Sequence, residues 1–236
     1  MDSDNGLQNS NEKNVLEPCN INEIGIDIQK LKKCLEIDYL TGGRKEYYES
    51  TSTKNIKLED GFMEFITAKC MGGNYVGEGN CPVDVVKDEI GIDVLCVCLN
   101  AKNLTNEKSI MQNFKECGNN LDHLFETGQY ELAISEYSKR YHAKLLEAKD
   151  SKNIEKIYYL AYISTNLNVY VSVFKINVDS ILDITYDNIT RQQKSIKFKG
   201  FIDENYGNAK LFKSKKRLEL RLNKNILSNY NTIKII

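Results

Sequence analysis

Histidine is scarce in this chain: two occur among 236 residues. Both fall in helix-like contexts, LDHLF and RYHAK, which weakens any Ser-His-Asp or Cys-His mechanism. Long apolar runs are missing as well, and no stretch approaches the ~18 uncharged apolar residues that a membrane-spanning helix needs. The opening residues MDSDNGLQNSNEKN hold no apolar signal-peptide core. Membrane insertion and secretion are therefore not expected, and a cytoplasmic setting is. The seven cysteines (19, 34, 70, 81, 96, 98 and 117) are odd in number and scattered, so they read as reduced thiols rather than a disulfide framework. Cys96 and Cys98 form a C-x-C, not the C-x2-C of a zinc knuckle, and read better as small buried hydrophobes.

What is present is enough for one sizeable core, with 41% hydrophobic and 28% charged residues. Residues 1–20 are mostly Asn, Ser, Asp and Glu and read as disordered, leaving 21–236 as a single domain. The net charge of −1 hides an asymmetry. Residues 191–236 carry twelve Lys and Arg against three Asp and Glu, a balance of +9 that leaves −10 for residues 1–190. Such a division suggests a polyanion-facing tail on an acidic body.

Ile24, Ile28, Leu31 and Leu35 follow helical spacing and predict a helix near 22–37. The polar stretch 42–55 reads as loop. Leu58, Phe62, Phe65 and Ile66 predict a second helix that begins with Glu59 and Asp60 and ends at Gly72-Gly73. Val83–Val86 reads as a short strand, Lys87–Gly91 as a turn, and Ile92–Leu99 as a central strand covered on both faces. Ile110, Phe114, Cys117, Leu121, Leu124 and Phe125 make one helical stripe, and a further helix is expected near 130–149. Two long strands (156–163 and 169–176) follow. In the basic tail Leu218, Leu220 and Leu222 point one way, Arg217, Glu219 and Arg221 the other. This order predicts an α/β or α+β fold, a central mixed sheet flanked by helices.

The window with chemical content is Gly77–Gln112. Acidic residues sit at the edge of a strand hairpin, the central strand ends in Asn100-Ala101-Lys102, and a helix carrying Glu107, Lys108 and Gln112 is expected next. Carboxylates at neighbouring strand ends suit Mg²⁺, an oxygen-seeking ion that keeps several waters. A nearby lysine would stabilise the charge that phosphodiester hydrolysis concentrates on phosphate oxygens.

Pro82-Val83-Asp84, followed after fifteen residues by Asn100-Ala101-Lys102, resembles a degenerate PD-(D/E)xK motif. The resemblance is to the nuclease superfamily that includes most type II restriction endonucleases, and it covers roughly residues 58–176. It implies a restriction-endonuclease-like core and Mg²⁺-dependent cleavage of double-stranded DNA at a short sequence, usually by a homodimer. The second acid of the motif is Asn100 here, an amide and a weaker metal ligand. Some relatives recruit an acid from the next helix, and Glu107 is placed for that.

Hairpin register leaves two arrangements open. With Glu89-Ile90 as a two-residue turn, Asp84 lies across from Leu95, diagonal to Asp93 and on its face. Those two acids would then hold the metal, with a lysine from elsewhere, Lys108 for example. A three-residue turn instead joins Asp84 with Lys102 and sets Glu78 opposite it, so that Asp84 or Glu78 works with Asn100 and Lys102. Asp84 belongs to both. In the tail, Lys210, Lys213, Lys215, Lys216, Arg217 and Arg221 are candidates to neutralise DNA phosphates. Arg191, Gln192, Gln193 and Asn208 are suited to base edges, and Lys108 and Gln112 share a stripe that could face DNA. The competing reading of the tail is a solvated, lysine-rich edge. Asn100 also leaves open a catalytically inactive DNA- or partner-binding protein of the same fold.

Overall fold

A computed structural model describes residues 13–41, 56, 58–77, 81–99, 108–109, 118–165, 168–189, 195–213 and 217–236, with backbone alone at 38–41, 108–109 and 118–119. It is a mixed α and β architecture with helices flanking a mixed sheet, in agreement with the expected class. The described helices are α1 (Ile28–Thr41), α2 (Asp60–Met71), α3 (Gly118–Glu126) and α4 (Tyr130–Lys152).

The larger sheet has seven strands. Its path runs β1 (Leu16–Cys19), β7 (Val169–Ile176), β6 (Lys156–Ser164), β4 (Ile90–Cys98), β3 (Val85–Lys87) and β2 (Asn74–Tyr75), and β12 (Ile233–Lys234) also pairs with β7. All its pairings are antiparallel except β4 with β6, which α4 makes possible by carrying the chain back over the sheet. A five-stranded antiparallel sheet has the order β5 (Lys108–Ser109), β11 (Arg217–Leu222), β10 (Gly207–Phe212), β9 (Ser195–Lys199) and β8 (Thr185–Ile189).

The period of two along β4 sorts its side chains into two cores. Ile92, Val94 and Cys96 pack with residues of α1 and α2, whereas Leu95, Val97 and Leu99 pack with α3, α4 and the smaller sheet. The α2 prediction is accurate to within a turn: Asp60 opens the helix, and Gly72 closes it at φ 69, its N–H bonded to Ala68 O. Buried hydroxyls tie α4 down. Tyr141 and Tyr159 are bonded to each other, and Tyr137 Oη accepts the Leu218 N–H at 3.0 Å.

Several expectations change. Leu16–Cys19, inside the segment read as disordered, is a strand on β7; residues 1–12 lie outside the described ones. Its polar flanks hid two fully buried residues, Val15 and Leu16. The first helix starts at Ile28 rather than near 22, because Gly25 takes a left-handed φ of 62 after a 3-10 turn at Ile21–Ile24. Lys108 and Ser109, expected on a helix, form β5 against Leu220 and Glu219. The stripe from Ile110 is described only from Gly118 onward, as α3. Segment 42–55 also lies outside the described residues.

Candidate active site

The site begins at the β3–β4 hairpin. Asp88 adopts φ 51, a left-handed conformation that Asp tolerates, and the turn is Asp88-Glu89 with Lys87 opposite Ile90. It lies one residue earlier than the two-residue turn considered from sequence. Glu89 O accepts the Glu155 and Lys156 N–H groups at 2.8 and 3.1 Å, which fastens this turn to the start of β6. Gly91 lets the same junction close: a Cβ there would stand 2.8 Å from Ile154 Cδ1 and 3.0 Å from Val83 Cγ1.

Alternation breaks at Asp84. Val85 pairs with Ile92 and packs in one core, whereas Val83 packs in the other. Asp84 N donates to Ile92 O at 2.7 Å, its carbonyl accepts Val76 N–H at 2.7 Å, and its carboxylate Oδ2 accepts Val94 N–H at 2.8 Å. Three bonds thus fix its carboxylate beside Asp93, and the two acids are hydrogen-bonded to each other.

Asp93 lies in the middle of β4, paired in register with Tyr159 of β6. Burial pushes its carboxyl well above the usual carboxylate range, the Asp84 charge adds to this, Glu64 adds further, and Lys144 opposes it. Burial also raises Asp84, against the bonds it accepts from Val94 N–H and Asp93. Both carboxyls are thus pushed toward binding a proton, Asp93 more strongly than Asp84.

Two participants were not foreseen from sequence. Glu64, half-buried on α2, has its carboxyl raised by burial and by the Asp84 charge, and accepts the Tyr75 hydroxyl at 3.0 Å. Lys144 lies one turn beyond Tyr141 on α4. Burial lowers its ammonium pKa, while Cys81, Glu147 and Asp93 favour its charge. Helical spacing in YHAKLL gives no hint that Lys144 leans toward an acid fifty residues earlier, because only tertiary packing of α4 on β4 and β6 brings them near.

Of the residues expected from sequence, the fold brings Asp84 and Asp93 together, in the first of the two arrangements. Glu78, Asn100, Lys102, Glu107, Gln112, Arg191, Gln192, Gln193, Lys215 and Lys216 lie outside the described residues. Lys108 is in β5 of the smaller sheet, and the lysine whose charge acts on Asp93 is Lys144 instead. Lys210, Arg217 and Arg221 are in β10 and β11, and Lys213 follows β10.

Some of these cations already have acidic partners. Lys213 Nζ lies 3.2 Å from Glu126, and Arg217 Nε lies 2.9 Å from Glu219, a carboxylate only 2% exposed. Lys197 bridges Asp187 and Glu204, both at 2.7 Å.

Two hydrogen-bonded carboxyls present an oxygen donor set in which a divalent cation can replace the shared proton. Mg²⁺ is commonly held by one or two carboxylates, with waters and substrate oxygens completing its shell. Among the described residues no group of three or more His, Cys, Asp or Glu is arranged to hold a metal ion. No helix among the described residues is long and apolar enough to cross a membrane. No protein-family model matches the chain, and no curated protein or solved structure matches it.

Proposed function

We propose that the chain is a Mg²⁺-dependent, sequence-specific endonuclease of the type II restriction class that hydrolyses phosphodiester bonds of double-stranded DNA. The observation that carries this reading is the Asp84–Asp93 carboxyl pair on a strand hairpin, with the Lys144 ammonium of α4 near enough to act on the Asp93 charge. A helix, α2, precedes the acid-bearing hairpin and the helices α3 and α4 follow it, an order that supports this reading. Asp93 takes the place of the second acid that Asn100 does not supply, and Lys144 that of the lysine.

In this reading Asp84 and Asp93 hold the ion. When bound, Mg²⁺ supplies a Lewis acid for a phosphate oxygen and a water of lowered pKa. Val94 N–H keeps the Asp84 carboxylate aimed, and Lys144 offsets negative charge gathering on the phosphate in the transition state. The cations of β10 and β11 contact the DNA backbone. The partly exposed Lys213–Glu126 pair exchanges readily for a phosphate, because surface pairs are worth about 0–1 kcal/mol. A palindromic recognition site would call for a two-fold homodimer.

The test is incubation of the purified chain with unmethylated phage DNA, in Mg²⁺ and in EDTA, beside Asp84→Ala and Lys144→Met. Discrete fragments in Mg²⁺ alone are expected. Asp84→Ala should abolish them, and Lys144→Met should slow their appearance about 10²-fold without weakening the gel shift. A gel shift with no cleavage under any divalent metal would replace the nuclease reading with that of a DNA-binding protein.

A further inference from the structure

We infer that Cys34 and Cys70 form an oxidisable dithiol, a modification site at which a small-molecule disulfide such as oxidised glutathione links α1 to α2. The two thiols belong to different helices yet share one core cluster, close enough there for Cys34 to help push the Cys70 thiol up. Two further contacts hold the helices in that alignment. Asp27 N donates to Cys70 O at 3.3 Å, and Lys30 Nζ donates to Lys69 O at 2.6 Å. Cys34 lies four residues beyond Lys30 and so shares its side of α1. By contrast, the groups acting on buried Cys19 are Glu23, Lys175 and Glu17, none of them a thiol.

Exposure divides the labour. Cys34 is partly exposed and meets the oxidant, whereas Cys70 is buried. The Cys34 thiolate attacks one sulfur of oxidised glutathione, the disulfide bond breaks, and the first glutathione leaves as its thiolate. Cys70 then loses its proton to solvent and attacks the Cys34 sulfur, expelling the second glutathione. The protein gives up two electrons and two protons, and the small disulfide becomes two thiols. Burial pushes the Cys70 thiol up to about 12, with Lys30 working against this, so the second step is the slow one. The inference does not depend on the nuclease reading, although α2 also carries Glu64.

The test treats the full chain with oxidised glutathione, blocks remaining thiols with an alkylating agent, and maps peptides by mass spectrometry without reduction. The expected result is one dominant Cys34–Cys70 linkage, reversed by dithiothreitol, with two of the seven thiols consumed. In a time course, glutathione on Cys34 should appear first and decay as the linkage grows. Cys70→Ser should stop the sequence at that adduct. Should this variant fail to fold, the time course on the natural chain decides alone. Glutathione persisting on Cys34 of the natural chain, or linkages through other cysteines at equal yield, would overturn the proposal.

Discussion

Asp93 on β4 and Glu219 on β11 are both acids set among hydrophobic residues of a strand, and the fold treats them in opposite ways. Glu219 is 2% exposed and is met by the Arg217 guanidinium at 2.9 Å, with Lys210 across from it on β10. Asp93 faces a second carboxyl, with Glu64 contributing the same charge and Lys144 opposing. A carboxylate placed for architecture is neutralised where it stands. One set beside another carboxylate costs stability unless a proton or cation joins them, and it is on that cost that the pair is proposed as a site.

The contrast can be broken most visibly in activity. Asp93→Asn should reduce Mg²⁺-dependent cleavage by about 10³-fold or more in the phage DNA assay, the scale of losing a group that stabilises transition-state charge. Arg217→Ala should act chiefly on stability instead. It leaves Glu219 buried without its guanidinium and should lower the urea unfolding free energy by about 2 kcal/mol.

A smaller effect, of opposite sign, is expected for Asp93→Asn in the absence of metal. Asp84 and Asp93 both titrate above the usual 3.8 in the folded chain, which therefore binds protons more tightly than the unfolded chain. Their contribution is fully present below that ordinary value and is lost as pH rises through the folded values. Melts in EDTA should thus show stability falling as pH rises through that window. Asp93→Asn should flatten the fall and gain about 1 kcal/mol at neutral pH, roughly 2–4 °C in Tm for a chain of this size. Added Mg²⁺ should restore the natural chain and leave the variant unmoved. Smallest of all is Lys213→Ala: its pair with Glu126 is partly exposed, so stability should change by less than about 0.5 kcal/mol. The salt slope of DNA binding should fall by about 1.

Local periodicity made α2, β4, α4, β6 and β7 legible in the sequence, because each buries a regular face. Asp84 stood out through the motif it completes and through belonging to both hairpin registers, and Asp93 as a charge near the head of an apolar strand, on Asp84's face in one of them. Their pairing was harder to read. The stretch Lys87–Gly91 has no Asn-Gly or Asp-Gly to mark the turn, and Asp88 takes the left-handed position instead. Glu64 and Lys144 were illegible, since each looks like an ordinary polar position on an amphipathic helix until the sheet is beneath it. Glu219 shows the same limit in the tail. The alternation of Leu218, Leu220 and Leu222 was read correctly, but burial of the opposite row depends on what covers the second face.

The edge of β7 is closed by two pieces from distant parts of the chain. Leu16–Cys19 covers Val173–Ile176, and Ile233–Lys234 continues in the same direction along Tyr170 and Val171. During synthesis β7 leaves the ribosome well before Ile233, so half of its edge stays bare while the rest of the sheet assembles. Strand edges of this kind pair readily with other chains. A nascent molecule therefore carries the Tyr170–Val171 stretch of that edge unpaired until β12 is made.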